Sequence, residues 1–246
     1  MTRYNIAPNY TDLTSKLLDI QQLFLQNNAT IHKARNELKV IDIEKTSMVV
    51  KSFKVPHFLN KIVYSFFKNS KAKKSYEYSL KIASFTPKPV AFIEFYKFGF
   101  LHKSYFVSEE FKYDFTIREA LLDKTFPQRE EIFKTFARFS LELHNNNIFH
   151  NDYSPGNILI KKEQDKFIFK IVDINRMSFL PLNQTMRAKN FSKLWADDDV
   201  LIIIAQEYMK HYACDDNFIE KVILFSNKNK QIKNFKKRLK GKKVDD

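Results

Sequence analysis

The chain has 246 residues, of which 44% are hydrophobic and 15% aromatic. That composition excludes a disordered polymer and allows one large domain or two joined lobes. Lys and Arg number 42 against 28 Asp and Glu, a net charge of +14, which favours an anionic partner or reflects a lysine-rich solvated surface. The single cysteine, Cys214, excludes an internal disulfide and a cysteine zinc cluster.

The opening stretch lacks the continuous apolar core of a secretion signal, and the longest strongly apolar run, VLIIIA at 200–205, is too short to span a bilayer. A cytoplasmic protein is the expectation. YTDLTSKLLDIQQLFLQNN reads as a helix ended by Asn27 and Asn28, with Leu13, Leu17, Ile20 and Phe24 at helical spacing on one apolar face. TIHKARNELKVIDI and SMVVKSFK read as strands, from their β-branched content and partial alternation. LNKIVYSFFKNSKAKKSYEYSLKIASF reads as a long helical stretch, broken near Asn69 and Ser70 and stopped by Pro87 and Pro89. VAFIEFYKFGFLHKSYFVSEEF reads as two strands about a turn at Gly99.

Beyond residue 115 the pattern becomes helical. PQREEIFKTFARFSLELHNNN carries Pro127 where a first helical turn tolerates proline, and Ile132, Phe136, Phe139 and Leu143 form a stripe. NILI and KFIFKIVDI are short apolar strands about the polar turn KKEQDK. Helical segments follow near 187–212 and 216–225, with Asp197, Asp198 and Asp199 placed as a helix-opening acid cluster. Trp195 reads as a core residue rather than a stacking platform. The expected organisation is a strand-rich front lobe over 1–110, a helical back lobe over 111–227 and a basic tail over 228–246.

The chemistry is concentrated in IFHNDYSPGNILI and FKIVDINRM. Asp152 and Asn157 lie five apart in a loop before a strand, and Asp173 ends the next strand. Two carboxylates and an amide oxygen are hard donors that suit Mg²⁺. One acid can stay off the metal and orient a hydroxyl for attack, the layout phosphoryl transfer needs. His150, Asp152 and Asn157 complete the kinase loop pattern H-x-D-x-x-x-x-N, and Asp173 stands where kinases carry D-F-G. His150, two before the proposed base, is expected to hold the loop backbone rather than to do chemistry. A kinase also needs a strand lysine paired with a helix glutamate; Lys51 and Glu77 stand in that order, with Lys54 a rival to Lys51. Arg176 can meet a phosphate or an acidic sugar, or form an ordinary salt bridge.

Together VVKSFK, SKAKKSYEY, HNDYSPGNILI and VDINRM resemble the bacterial lipopolysaccharide kinases, the Kdo and heptose kinase (Kdo/WaaP) group. The resemblance covers about residues 24–212. It implies an α+β, protein-kinase-like bilobal fold, ATP and Mg²⁺ as cofactors, and transfer to a sugar hydroxyl of the lipopolysaccharide inner core. It assigns Asp152 as base, Asn157 and Asp173 as metal ligands, and Lys51 with Glu77 as phosphate anchor. Three positions depart from kinase patterns. Ser154 replaces the lysine two after the base, as in small-molecule phosphotransferases, Asn175 replaces the final D-F-G glycine, and NNATIHKARN replaces a Gly-rich loop. Phosphate cover there falls to Asn and Thr backbone or to a basic side chain such as Arg35.

The competing readings are a pseudokinase-type interaction module and a small-metabolite or antibiotic phosphotransferase. No recognised nucleic-acid motif is present, and nothing in the sequence specifies an oligomeric state. The segment from Lys228 to Lys243 carries nine Lys and Arg without an acid, with Ile232, Phe235 and Leu239 on one helical face. It can lie on an anionic membrane, bind nucleic acid or be a solvated end. Peripheral association with the inner membrane, through an anionic glycolipid acceptor, is the partner expectation.

Overall fold

The structure is a computed structural model that describes residues 1–27, 30–33, 36–54 and 69–241, with the side chains of 30–33 left undescribed. Arg35 and the front of the expected long helical stretch lie outside the described residues. The chain divides into two compact units, Met1–Lys112 and Tyr113–Asp246.

In the first unit, six described strands form one antiparallel sheet: β1 (Thr2–Ile6), β2 (Thr30–Lys33), β3 (Glu37–Ile43), β4 (Thr46–Phe53), β5 (Pro89–Lys97) and β6 (Phe100–Glu109), ordered β1-β5-β6-β4-β3-β2. The β5–β6 turn expected at Gly99 is present, with positive φ at both Phe98 and Gly99. The sequence reading did not include β1, which pairs with β5 from Thr2↔Phe95 to Ile6↔Ala91.

Both faces of the sheet are covered. Opposed residues of an antiparallel pair project to the same side, so Ile41, Met48, Tyr105 and Ile93 share one face through their register. That face receives the leading helical segments, a 3₁₀ turn (Pro8–Leu13), α1 (Thr14–Leu18) and α2 (Ile20–Gln26). The expected stripe Leu13, Leu17, Ile20 and Phe24 is buried there, and Phe24 meets Tyr105 with ring centroids 5.5 Å apart. Lys39 reaches through from the sheet and donates to the carbonyls of Phe24 and Asn27, both at 2.7 Å. A lysine thereby satisfies orphan carbonyls at the end of α2.

The opposite face carries α3 (Lys71–Ile82). Ser70 caps it, its hydroxyl accepting from the Lys73 N–H at 3.0 Å. The break expected near Asn69 and Ser70 is therefore a helix start. Tyr76 of α3 packs on Phe92 at 5.5 Å.

The second unit opens with β7 (Phe115–Thr116) and α4 (Ile117–Leu122), which begins with a Thr116–Glu119 capping box. α5 (Arg129–Asn145) follows, with Gln128 as N-cap in the left-handed region. Pro127 therefore precedes the cap and is not in the first helical turn. β8 (Ile148–His150), β9 (Ile158–Glu163), β10 (Lys166–Ile171) and β11 (Met177–Phe179) are short. β10-β9-β7 form one small sheet and β11-β8 another.

α6 (Gln184–Asn190), α7 (Asp198–Met209) and α8 (Phe218–Arg238) complete the described residues. Asp197 is the N-cap of α7, and Asp198 and Asp199 occupy its first turn, where the helix dipole favours acids. The buried Glu207 of α7 ties that helix to α5 through Arg138 at 2.5 Å, and to Lys210 at 2.8 Å. The Lys210 bond and then Arg138 hold its carboxyl at about 2. Helix α8 runs through position 228, so the boundary expected there falls inside a helix. Among the described residues, no helix is long and apolar enough to cross a membrane.

Candidate active site

The chain leaving β8 turns two side chains inward, with two between them that are not buried. His150 and Tyr153 are buried, while Asn151 and Asp152 are not. Tyr153 is the anchor: its hydroxyl meets Ser140 of α5 at 2.9 Å, and its ring stacks on His150 with centroids 5.7 Å apart. Burial pushes its phenol far up, so it stays neutral. Pro155–Asn157 then forms a 3₁₀ turn that delivers the chain into β9.

His150 is held by two backbone groups of opposite kind. The Asp152 N–H donates to its Nδ1 at 3.1 Å, and its Nε2 lies 3.0 Å from the Val172 carbonyl. A carbonyl only accepts, so the imidazole is neutral with its proton on Nε2. Burial also lowers its pKa. The ring therefore links the backbone beside Asp152 to the backbone before Asp173.

Two further contacts stitch these segments together. The Val172 N–H donates to the Asn157 carbonyl at 3.0 Å, and β8 pairs with β11 from His150↔Met177 to Ile148↔Phe179. The chain leaving β8 and the chain entering β11 thus run side by side. Asn151 adds a bond to the Arg176 carbonyl at 2.6 Å and one to the Ser178 hydroxyl at 2.9 Å.

Asn157 uses its amide NH₂ on the loop, donating to the Asp152 carbonyl at 2.9 Å and the Ser154 hydroxyl at 3.1 Å. Its Oδ1 takes no part in these two bonds. Ser154, at the position where protein kinases place a lysine, orients this amide instead. Asp173 sits in the left-handed region, φ 58 and ψ 43, a conformation asparagine and aspartate tolerate better than most residues. The Asn175 Nδ2 donates to Asp173 Oδ1 at 2.8 Å. The residue that replaces the D-F-G glycine thus orients the carboxylate.

Arg176 Nη1 lies 4.0 Å from Asp152 Oδ2, with both groups partly open to solvent. This geometry places a cation beside the proposed base. Gly156 is packed against another, since a Cβ added there would stand 2.8 Å from Arg118 Nη2. Arg118 carried no sequence signal of its own, because nothing local marks which residue of α4 will face the loop.

Among the described residues, no group of three or more His, Cys, Asp or Glu could hold a metal ion by itself. A carboxylate and an amide oxygen such as Asp173 and Asn157 Oδ1 are donor types of a different kind of site. Mg²⁺ retains waters and takes one or two protein carboxylates or amides, with substrate phosphates completing the shell.

A buried relay supports the loop from below. Arg187 Nη1 donates to the Tyr208 hydroxyl at 2.9 Å, and that hydroxyl lies 2.9 Å from His144 Nδ1. His144 Nε2 meets Asn190 Oδ1 at 3.0 Å, and Asn190 Nδ2 donates to the His150 carbonyl at 2.9 Å. Because Asn190 donates through its nitrogen, its oxygen must accept, so His144 carries its proton on Nε2. Burial lowers the His144 pKa to about 4, with the Asn190 bond opposing and Arg187 assisting. Sequence reasoning missed this relay, whose members come from α5, α6 and α7.

In the first unit, Lys51 lies in the cross-strand row Phe92–Phe106–Lys51–Leu38. Phe92 is the ring under Tyr76, so Lys51 shares the sheet face that α3 covers. Its ammonium lies 5.4 Å from the Phe53 ring centroid. Lys54 follows the end of β4. Glu77 is on the exposed side of α3, where Lys73 approaches it to 3.8 Å and Asn69 Nδ2 donates to it at 3.2 Å. The Glu77 carboxylate is therefore occupied from its own helix and the residue before the cap.

No protein-family model matches the sequence, and no curated protein matches it. Among solved structures, the chain is similar to WaaP in complex with acyl carrier protein. The TM-score is 0.59, the identity 12%, and the match covers 94% of this chain and 99% of that one. A microcompartment-associated aminopropanol kinase is also similar, at TM-score 0.49 and 8% identity over 85% and 86% of the two chains. The likeness to WaaP extends over almost all of both chains. The chain has a protein-kinase-like α+β fold, with a strand-rich front and a helical back.

Proposed function

We propose that the chain is an ATP-dependent kinase that transfers the γ-phosphate to a sugar hydroxyl of the lipopolysaccharide inner core, Kdo or heptose. The observation that carries this reading is the hydrogen-bond pattern of the 150–157 loop. Its backbone is held by His150, Asn190 and Asn157, while the Asp152 carboxylate takes no part in those bonds and lies 4.0 Å from Arg176 Nη1. The acceptor class rests on the motif resemblance, supported by the likeness to WaaP.

Asp152 would accept the proton of the attacking hydroxyl, and Arg176 would meet the phosphate or an acidic sugar. Asp173 and Asn157 would hold Mg²⁺, which when bound neutralises phosphate charge as the phosphoryl group moves. Lys51 would bind the α- and β-phosphates, with Glu77 as its partner once released from Lys73. The site of action would be the cytoplasmic face of the inner membrane.

Two variants test this reading. Asp152→Asn should retain nucleotide binding and slow transfer by about 10²–10⁴-fold, the range for loss of a positioned base. Asp173→Asn should abolish Mg²⁺-dependent transfer while far-ultraviolet circular dichroism is unchanged. Full transfer by Asp173→Asn would remove the metal assignment. A wild-type chain that binds ATP yet transfers to no sugar acceptor would favour a pseudokinase. That second reading draws on the Glu77 carboxylate being held by Lys73.

A further inference from the structure

Helix α8 has one side seated on the second unit and another side turned outward. Phe218, Val222 and Ser226 are buried. Asn229 Nδ2 donates to the Ser192 carbonyl and Lys230 Nζ to the Ala196 carbonyl, both at 2.8 Å. Lys233 and Lys237 lie over the Trp195 ring, 5.4 and 5.6 Å from its centroid. These contacts fix the rotation of the helix about its axis.

The outward side is apolar where a solvated helix would be polar. Leu224, Ile232, Phe235 and Leu239 are 62%, 46%, 61% and 72% exposed. At 3.6 residues per turn they fall on one arc of less than a third of the circumference. Lys228 lies within the arc, and Lys236 and Arg238 border it. No acid occurs between Lys228 and Gly241.

We propose that this face of α8 is a membrane-docking surface that inserts Phe235, Leu239 and Ile232 shallowly into an anionic bilayer. Charge complementarity selects the occupant: the basic residues surround the apolar arc rather than forming an isolated cationic strip. Nucleic acid would use the lysines but gain nothing from four exposed apolar side chains. Lipid uses both, through phosphate headgroups and the acyl boundary. The inference deepens the glycolipid-kinase reading and rests on it for the acceptor, whereas the surface rests on exposure and charge.

The test is vesicle co-sedimentation of the full chain without nucleotide or acceptor. Vesicles of phosphatidylcholine, with and without phosphatidylglycerol, serve as probes. The wild type should partition onto the anionic vesicles only, and less so as salt rises. Lys228→Gln with Lys236→Gln should reduce partition by about 25-fold, or roughly fivefold for each lysine. Phe235→Ser with Leu239→Ser should reduce it by about tenfold or more. Both pairs are exposed, so folding should be unaffected, and the lone Trp195 beneath the helix reports its seating by fluorescence.

No wild-type partition, or equal partition by all three chains, would overturn the surface. Loss in the lysine variant alone would mean simple adsorption and overturn the inserted arc. A wild type that ignores vesicles but binds duplex DNA, or forms a dimer abolished by the Phe235 and Leu239 changes, would reassign the face and overturn the lipid occupant. Vesicle binding without phosphate transfer overturns the kinase reading alone. Transfer to a soluble acceptor without vesicle binding overturns this surface alone.

Discussion

His150 and His144 show how burial assigns roles to single residues. Each has one ring nitrogen donating and the other accepting, so each is structural as a neutral group. Protonating His144 would place a second N–H against the Tyr208 hydroxyl, which already accepts from Arg187. Its pKa falls from 6.5 to about 4, so the unfolded chain takes up a proton that the folded chain excludes. The stability that neutral His144 contributes is complete above pH 6.5 and is lost as the pH falls toward 4. The expected loss is roughly 3 kcal/mol. Unfolding free energies of wild type and His144→Gln from urea titration, compared at both ends of that window, should converge by this amount at low pH. Parallel curves would show that the shift is not realised.

At the level of elements, the β4 register separates the two candidate lysines of the proposed nucleotide site. Lys51 lies inside the strand on the face covered by α3, whereas Lys54 lies beyond the strand end. Phe106 and Leu38 flank Lys51 in its row on that side. Lys51→Ala should slow transfer on the order of 100-fold, the scale for deleting one positioned charge donor, and Lys54→Ala should have little effect. Steady-state kinetics with varied ATP would decide it. A defect in Lys54→Ala alone would mean that Lys51 is a surface lysine.

For the whole molecule, the net charge of +14 is not confined to a detachable tail. The basic segment from Lys228 onward begins inside α8, and four of its residues pack on Ser192, Trp195 and Ala196. Removing residues 228–246 would delete two hydrogen bonds, each contributing about 1 kcal/mol, and uncover Trp195. The truncated chain should be less stable by about 2–3 kcal/mol, with an altered tryptophan emission spectrum. Chemical denaturation followed at Trp195 would measure both. A truncation that leaves midpoint and spectrum unchanged would show that this half of α8 is not seated as described.

The amino-acid sequence by itself determined the elements whose signals are local. The stripe from Leu13 to Phe24, the hairpin about Gly99 and the paired strands 158–163 and 166–171 were legible because periodicity and turn residues lie within one window. Asp152, Asn157 and Asp173 stand out as the proposed site triplet for a similar reason: they occur in a compact pattern beside apolar strands. Tertiary structure decided what depends on distant partners. Strand β1 exists through its pairing with β5, from Thr2↔Phe95 onward. Strands of two or three residues such as β7, β8 and β11 carry too few residues for any period. The relay from Arg187 to His150 joins side chains from three helices to one loop carbonyl, and its residues look ordinary in sequence. Their roles arise only when folding removes water and leaves the buried polar atoms one another as partners.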